Sequence, residues 1–211
     1  MSEARPGLYR RVGKRLLDVA IALPMIVATA PLIALSCALV AKKIGRPVLF
    51  SQERAGLHGA PFTVRKLRTM TNERGEDGEL LPDDRRLTAL GELLRRTSID
   101  ELPQLWNVLR GDMSVVGPRP LYVKYIARYD DAQRRRLEVK PGVTGWSQVN
   151  GRNGLDWESK LDLDAWYARH VSLSLDLRIL ARTAAVLLRR EGYAPVGTAR
   201  SGEFDGSQRR T

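Results

Sequence analysis

The sequence predicts a mainly α-helical protein with a small β-hairpin, an N-terminal re-entrant membrane element of the form helix-break-helix, and amphipathic helices at the membrane interface. Three observations carry this. An apolar segment, Leu16 to Ala41, lies between two basic clusters; two β-prone runs, VLFSQ and FTVRKLR, surround the glycine-rich turn GLHG; and most of the remaining periodicity is helical. A length of 211 residues suits one domain with a modest core, or one domain plus a membrane element. The boundaries follow: a basic N-terminus and membrane helix over 1–46, a cytosol-facing domain over 47–192, and a Gly/Ser/Arg-rich tail over 193–211 that is expected to be disordered.

Within the apolar segment a single charge, Asp18, interrupts about 26 residues, enough helix to cross a hydrocarbon core of roughly 30 Å. It is a poor signal peptide, because it holds two prolines and runs without a good cleavage site into Lys42 and Lys43. Arg5, Arg10, Arg11, Lys14 and Arg15 precede it, and Lys42, Lys43, Arg46 and Arg54 follow. The positive-inside tendency therefore draws both ends to the cytoplasm, and a hairpin satisfies both pulls. Pro31 removes one backbone donor and crowds the preceding turn, so it is the expected membrane break, leaving arms of roughly 22 and 15 Å that are each too short to span. Pro24 is the alternative kink. Asp18, four residues after Lys14, is expected to pair with it or with Arg15.

The hairpin occupies 47–68. Residues 72–86 read as a polar loop whose Asp83 and Asp84 are solvated carboxylates rather than cation ligands. Helical spacing marks 87–96, 99–109, 121–137 with a basic face, 157–170 and 175–190. In the last of these Arg178, Arg182, Arg189 and Arg190 lie off an apolar stripe, a pattern that suits a helix in the bilayer interface and equally one that faces a core.

Composition narrows the function. A formal net charge of +11 calls for an anionic partner: nucleic acid, an acidic leaflet or a phosphorylated substrate. The four tryptophans and three phenylalanines are not interleaved with the basic residues as stacking platforms, which argues against nucleic acid. The single cysteine, Cys37, excludes an intrachain disulfide and a cysteine zinc site, and the two histidines, His58 and His170, lack ligand spacing. There is no Walker loop, no GxGxxG after a strand and no internal repeat.

The stretch 98–120, SIDELPQLWNVLRGDMSVVGPRP, carries the candidate chemistry. Asp100 and Glu101 open a short amphipathic helix. Ser98 and Glu101 have capping-box spacing, and acidic residues in a first turn complement the helix dipole, so a purely structural role stands beside a catalytic one. Adjacent helical side chains point about 100° apart, which gives the two carboxylates distinct roles rather than a shared proton. In GPRP, two prolines stiffen the backbone around Arg119, which suits bidentate phosphate contact. Residues 140–153 combine glycines with Lys140, Arg152 and amide side chains, as a diphosphate or uracil cradle would or as plain turns would.

Five pieces in order, KRLLD (14–18), the proline-bearing apolar segment, RKLRTM (65–70), SIDELPQLWNVLRGDMSVVGPRP (98–120) and PGVTGWSQVNGRN (141–153), resemble the small monotopic polyprenol-phosphate phosphoglycosyl transferases of the bacterial sugar transferase family, over residues 10 to 192. The resemblance implies a monotopic protein on the cytoplasmic face of the bacterial inner membrane, a Mg²⁺ cofactor, a UDP-sugar donor and a polyprenol (undecaprenyl) phosphate acceptor. Membrane lipid and downstream glycosyltransferases are the further partners. Carried over, Asp100 attacks the β-phosphate, expels UMP and holds the sugar-phosphate as an acyl phosphate, while also serving the metal. Glu101 assists through the metal or proton handling, and Lys66, Arg119 and Arg152 contact phosphate. Asp176 is a further candidate, with a helix N-cap as its alternative. Where the better-known small members carry Ser-Pro at the membrane break, this chain has Ala30-Pro31. Two other readings remain: a hexose-1-phosphate transferase for exopolysaccharide, and a non-catalytic membrane-anchored basic binding protein.

Overall fold

A π-helical turn, Tyr9–Gly13, leads without a break into α1, Lys14–Lys43, in the computed structural model, which describes residues 7–151, 154–189 and 203–206. At about 1.5 Å per residue α1 is about 45 Å long. It does not divide into two arms at Pro31: the helical assignment runs through both Pro24 and Pro31. Each proline deletes only one N–H donor, and the hydrogen bonds on either side keep the element whole. Thr29 adds a bond of its own, donating from Oγ1 to the Met25 carbonyl at 2.6 Å.

The two ends of α1 seat on the same domain. Near its start Ala22 is fully buried, with Ile21 and Ile26 packed beside it, in the main core of Leu105, Val108, Met113, Val116 and Tyr167. Near its end Val40 is buried against Leu67 and Leu94. Between these contacts Val27, Leu32 and Leu35 stay exposed. The polar residues of the first turns are also committed to the domain. Arg15 donates to the carbonyls of Val108 and Leu109 at 2.5 and 2.6 Å. Asp18 accepts from Ser114 Oγ at 2.7 Å and from the Val115 N–H at 2.8 Å. The expected pairing of Asp18 with Lys14 or Arg15 is therefore replaced by contacts to the domain, because a buried carboxylate keeps its ionised form only with donors aimed at it.

Strands β1 (Leu49–Ala55) and β2 (Pro61–Leu67) form the expected antiparallel hairpin, in a register that sets Leu49 opposite Leu67 and Gln52 opposite Val64. The loop after it contains one short helical turn, α2 (Asp83–Arg86), and leads to α3 (Ala89–Arg96). Gly91 is where α3 crosses the end of the hairpin: a Cβ there would lie 1.9 Å from the Thr69 carbonyl oxygen. Next come a 3₁₀ turn over Ile99–Gln104, α4 (Leu105–Arg110) and the short strand β3 (Ser114–Val116), which pairs in parallel with β4 (Gly142–Thr144).

The region expected as one helix over 121–137 is a 3₁₀ segment, Val123–Arg128, followed by α5 (Asp131–Arg134) and a further 3₁₀ turn, Arg135–Glu138. Tyr129 is extended and Asp130 starts a new helix through a capping box with Gln133, which ends the first segment. The last three helices are α6 (Trp146–Val149), α7 (Trp157–Arg169) and α8 (Leu173–Arg189). α8 buries Leu175 and Ile179 in the main core and exposes Leu173, Leu177 and Leu187, so it faces the core and still presents an apolar edge. Of the tail expected to be disordered, 203–206 are described and packed, with Phe204 buried; the rest of 193–211 lies outside the described residues.

Candidate functional site

The site is set by a tight reversal between α3 and the 3₁₀ turn. Ser98, just past the α3 C-terminus, is left-handed with φ of 58°, a conformation usually reserved for glycine at that position. Its side chain makes no cap bond, so the expected Ser98–Glu101 capping box does not form. Glu101 instead turns to two cations. Its Oε1 lies 2.6 Å from Lys66 Nζ on β2 and 2.8 Å from Arg119 NH2. Two cations from distant parts of the sequence thus converge on one carboxylate.

Asp100 stands beside this cluster and differs from its neighbour. It is 6 % exposed, and among the described residues its carboxylate accepts no hydrogen bond. Burial first and the Glu101 charge second push it up to about 6, against the pull of Lys66, Arg95 and Arg119. Burial pulls Glu101 the same way, but the Arg119 and Lys66 charges and their hydrogen bonds outweigh it and bring that carboxyl down to about 2. Two adjacent carboxylates are thereby separated in chemistry: one is locked in an ion-pair cluster, and the other is largely buried, without a hydrogen bond among the described residues, with Lys66, Arg95 and Arg119 as its nearby charges. Lys66 is drawn down by burial and by Arg119, and Arg119 is raised by Glu101.

Arg119 is held from two sides. The turn Gly117–Pro120 crosses the 140–145 loop at backbone contact: Gly117 N–H donates to the Thr144 carbonyl at 2.8 Å and Gly142 N–H to that of Pro118 at 2.9 Å. A Cβ on Gly142 would lie 2.1 Å from Gly117 N, and one on Gly145 would lie 2.1 Å from Gly117 O. These glycines serve close loop crossing. Behind them the Arg119 carbonyl accepts from Arg136 at 2.6 Å, and Arg136 forms a buried ion pair with Asp164 at 2.8 Å, which also accepts from Ser147 Oγ at 2.7 Å.

Asp176 belongs to a different cluster. Near the start of α8 it accepts from Tyr167 and Lys14, each at 2.7 Å, and from Tyr9 at 2.5 Å. It ties the start of α1 to α7 and α8, and none of these partners touches Asp100. Arg152 lies outside the described residues. The sequence reading missed Arg95, which is held by Thr69 Oγ1 at 3.0 Å and attracts the Asp100 charge; within a periodic helix nothing marks it. It also missed Arg136 and Asp164. A signal for Asp164 existed, since it shares the buried stripe of Leu161, Ala165 and Ala168, where an acid requires a partner.

Among the described residues no three His, Cys, Asp or Glu side chains are grouped as a metal site. The carboxylate without a hydrogen bond here is that of Asp100, an oxygen donor of the kind a hard cation takes.

Comparison with known proteins shows the family of the chain. The family model for bacterial sugar transferases matches residues 9–190, and the chain belongs to that family. It is a transferase. The chain is 52% identical to the sugar transferase EpsL of Bacillus subtilis (strain 168) over 194 residues, covering 92% of this chain and 96% of EpsL. It is 42% identical over 189 residues to the UDP-glucose:undecaprenyl-phosphate glucose-1-phosphate transferase of Caulobacter vibrioides, covering 83% of this chain and 69% of that one. It is 38% identical over 196 residues to the undecaprenyl-phosphate galactose phosphotransferase of Salmonella typhimurium (strain LT2), covering 85% of this chain but 41% of that longer protein.

Proposed function

We propose that this protein transfers a sugar-1-phosphate from a UDP-sugar to polyprenol phosphate through a covalent Asp100 intermediate, at the cytoplasmic face of the bacterial inner membrane. The observation that carries the reading is the buried, unpartnered Asp100 carboxylate set beside a carboxylate already neutralised by Lys66 and Arg119. A purely structural acid at the start of a helical turn would be solvated or capped. This one is instead dehydrated, and so a stronger nucleophile.

In the proposed reaction an Asp100 carboxylate oxygen bonds to the sugar-side phosphorus of the donor. The bond from that phosphorus to the bridging oxygen breaks, and UMP leaves with the electron pair. A phosphate oxygen of the polyprenol then attacks the same phosphorus, the acyl phosphate bond breaks, and Asp100 is regenerated as carboxylate. Lys66 and Arg119 face the diphosphate, and Glu101 holds both cations in place through one carboxylate oxygen, Oε1. Mg²⁺, bound through Asp100 and the donor's oxygens, would neutralise charge on the diphosphate.

Membrane placement rests on α1. Its two seated positions, Ala22 and Val40, lie roughly 27 Å apart along the axis and both pack on the domain of 47–189, while most of the residues between are exposed and apolar. A helix crossing the bilayer would leave one end beyond that domain's reach. The exposed leucines of α8 add to the apolar surface. We read the protein as monotopic, with the unbroken α1 lying against one face of the membrane rather than crossing it. Enzyme with a UDP-sugar and Mg²⁺, without acceptor, should release up to one UMP per active site and gain the sugar-phosphate mass. UMP release that requires both substrates together excludes the covalent route, and a panel of UDP-sugars names the donor.

A further inference from the structure

A pocket outside the transfer site is filled by the chain's own residues 203–205. Phe204 is 1 % exposed, far from the behaviour of a solvated tail. Its ring packs against Trp157 with centroids 5.5 Å apart, against Tyr125 at 5.6 Å and against Tyr129 at 5.8 Å, with Leu161 in the same cluster. The walls come from two elements: the 3₁₀ segment that follows the Arg119 turn, and α7.

The rim matches the occupant in charge. Lys124 donates to the Glu203 carboxylate, and Arg128 lies 3.9 Å from the carboxylates of both Glu203 and Asp205. The Arg128 guanidinium also donates to the Phe204 carbonyl. Both cations extend over the Tyr125 ring, at 5.8 and 5.7 Å from its centroid, so the basic and aromatic parts form one surface. An apolar anchor in an aromatic pocket, flanked by acids on a basic rim, is the pattern of a short peptide ligand.

The pocket also reaches the transfer site. Arg136 donates to the Tyr129 hydroxyl at 3.3 Å, and its other amine holds the Arg119 carbonyl at 2.6 Å. The face of Tyr129 that Phe204 covers therefore belongs to the group that positions the Arg119 turn.

We propose that this pocket is a docking site for an acidic–aromatic–acidic peptide, filled in cis by Glu203–Asp205, and that docking latches the Arg119 turn in place. The docking half stands on the packing alone. The latch half rests on the reading of Arg119 as a donor-phosphate contact.

The test uses the full chain in detergent and a fluorescent peptide of residues 199–209, followed by polarisation. In the wild type the pocket is occupied; Phe204→Ala vacates it. The peptide should bind the Phe204→Ala chain at least tenfold more tightly than the wild type, and a scrambled peptide should bind neither. Equal binding of intact and scrambled peptides to Phe204→Ala overturns docking. If that variant does not fold, Lys124→Glu/Arg128→Glu, which alters one exposed and one half-buried rim side chain, carries the test. It should prefer a peptide with lysines in place of Glu203 and Asp205 at least fivefold over the native peptide, and an unchanged preference overturns docking. For the latch, Phe204→Ala should raise the KM for the UDP-sugar at least threefold with kcat within twofold, and saturating peptide should restore it. Peptide binding with an unchanged KM overturns the latch. A wild-type chain that releases no UMP from any donor defeats the transferase reading, while polarisation still decides docking.

Discussion

Replacing Asp100 by Asn tests the site through stability as well as activity. The carboxyl is 6 % exposed and raised from 3.8 to about 6. The folded state therefore holds the proton more tightly than the unfolded chain, and this contribution to stability is fully present below about pH 4 and lost as pH rises through about 6. With the carboxyl raised to about 6, its ionised form costs the wild type on the order of 3 kcal/mol at neutral pH. Asn has the same shape and does not ionise, so Asp100→Asn escapes that cost while losing the nucleophile. Thermal unfolding of both chains in the same detergent should show the mutant gaining on the wild type as pH rises from 4 to 7.5. At roughly 2–4 °C per kcal/mol for a chain of this size, the gap should widen by about 6–12 °C. The mutant should release no UMP. A gap that stays constant across this pH range refutes the claim that Asp100 is a dehydrated anion, and a folded mutant with near wild-type turnover refutes its role as nucleophile.

Gly145→Ala should destabilise by about 1–3 kcal/mol, because the new Cβ meets the Gly117 backbone oxygen at 2.1 Å. Gly154→Ala, with nothing within 4 Å, should stay within about 0.5 kcal/mol, and equal effects in denaturant titration would remove the loop-crossing argument. Asp176→Ala should cost about 3–5 kcal/mol by stranding the buried Lys14 amine, and adding Lys14→Met should recover part of that loss; a double mutant no better than the single contradicts the pair. For topology, single cysteines at Ser2 and Gly45 in a Cys37→Ser background should both be labelled only from the cytoplasmic side, and periplasmic labelling of either rejects the monotopic reading.

The hairpin and the helices α3, α7 and α8 were legible in the chain because each is encoded by spacing over a few neighbouring residues: alternation around GLHG, or apolar positions three and four apart. The importance of Asp100, Glu101, Lys66 and Arg119 was legible from residue type and resemblance. Their arrangement was not. Local spacing favoured a Ser98–Glu101 capping box, whereas two cations from β2 and from the GPRP turn outcompete the Ser98 backbone N–H for the Glu101 carboxylate. The 121–137 region shows the same limit at a smaller scale. A helical period is present there, but the Asp130–Gln133 capping box divides it, and Tyr125 and Tyr129 turn toward Phe204, some 75 residues on.

Sequence alone determined where the hairpin and the helices α3, α7 and α8 form, where the apolar segment lies and which acids were worth suspecting, because backbone preference and amphipathic spacing act over a turn or two. Tertiary structure decided which carboxylate is paired and which is bare. It also placed Asp176 as an anchor for α1, gave Gly117, Gly142 and Gly145 their close crossing, and seated both ends of α1 on one domain. Each of these depends on groups far apart in the chain meeting at contact distance, where desolvation and charge rather than local propensity set the outcome.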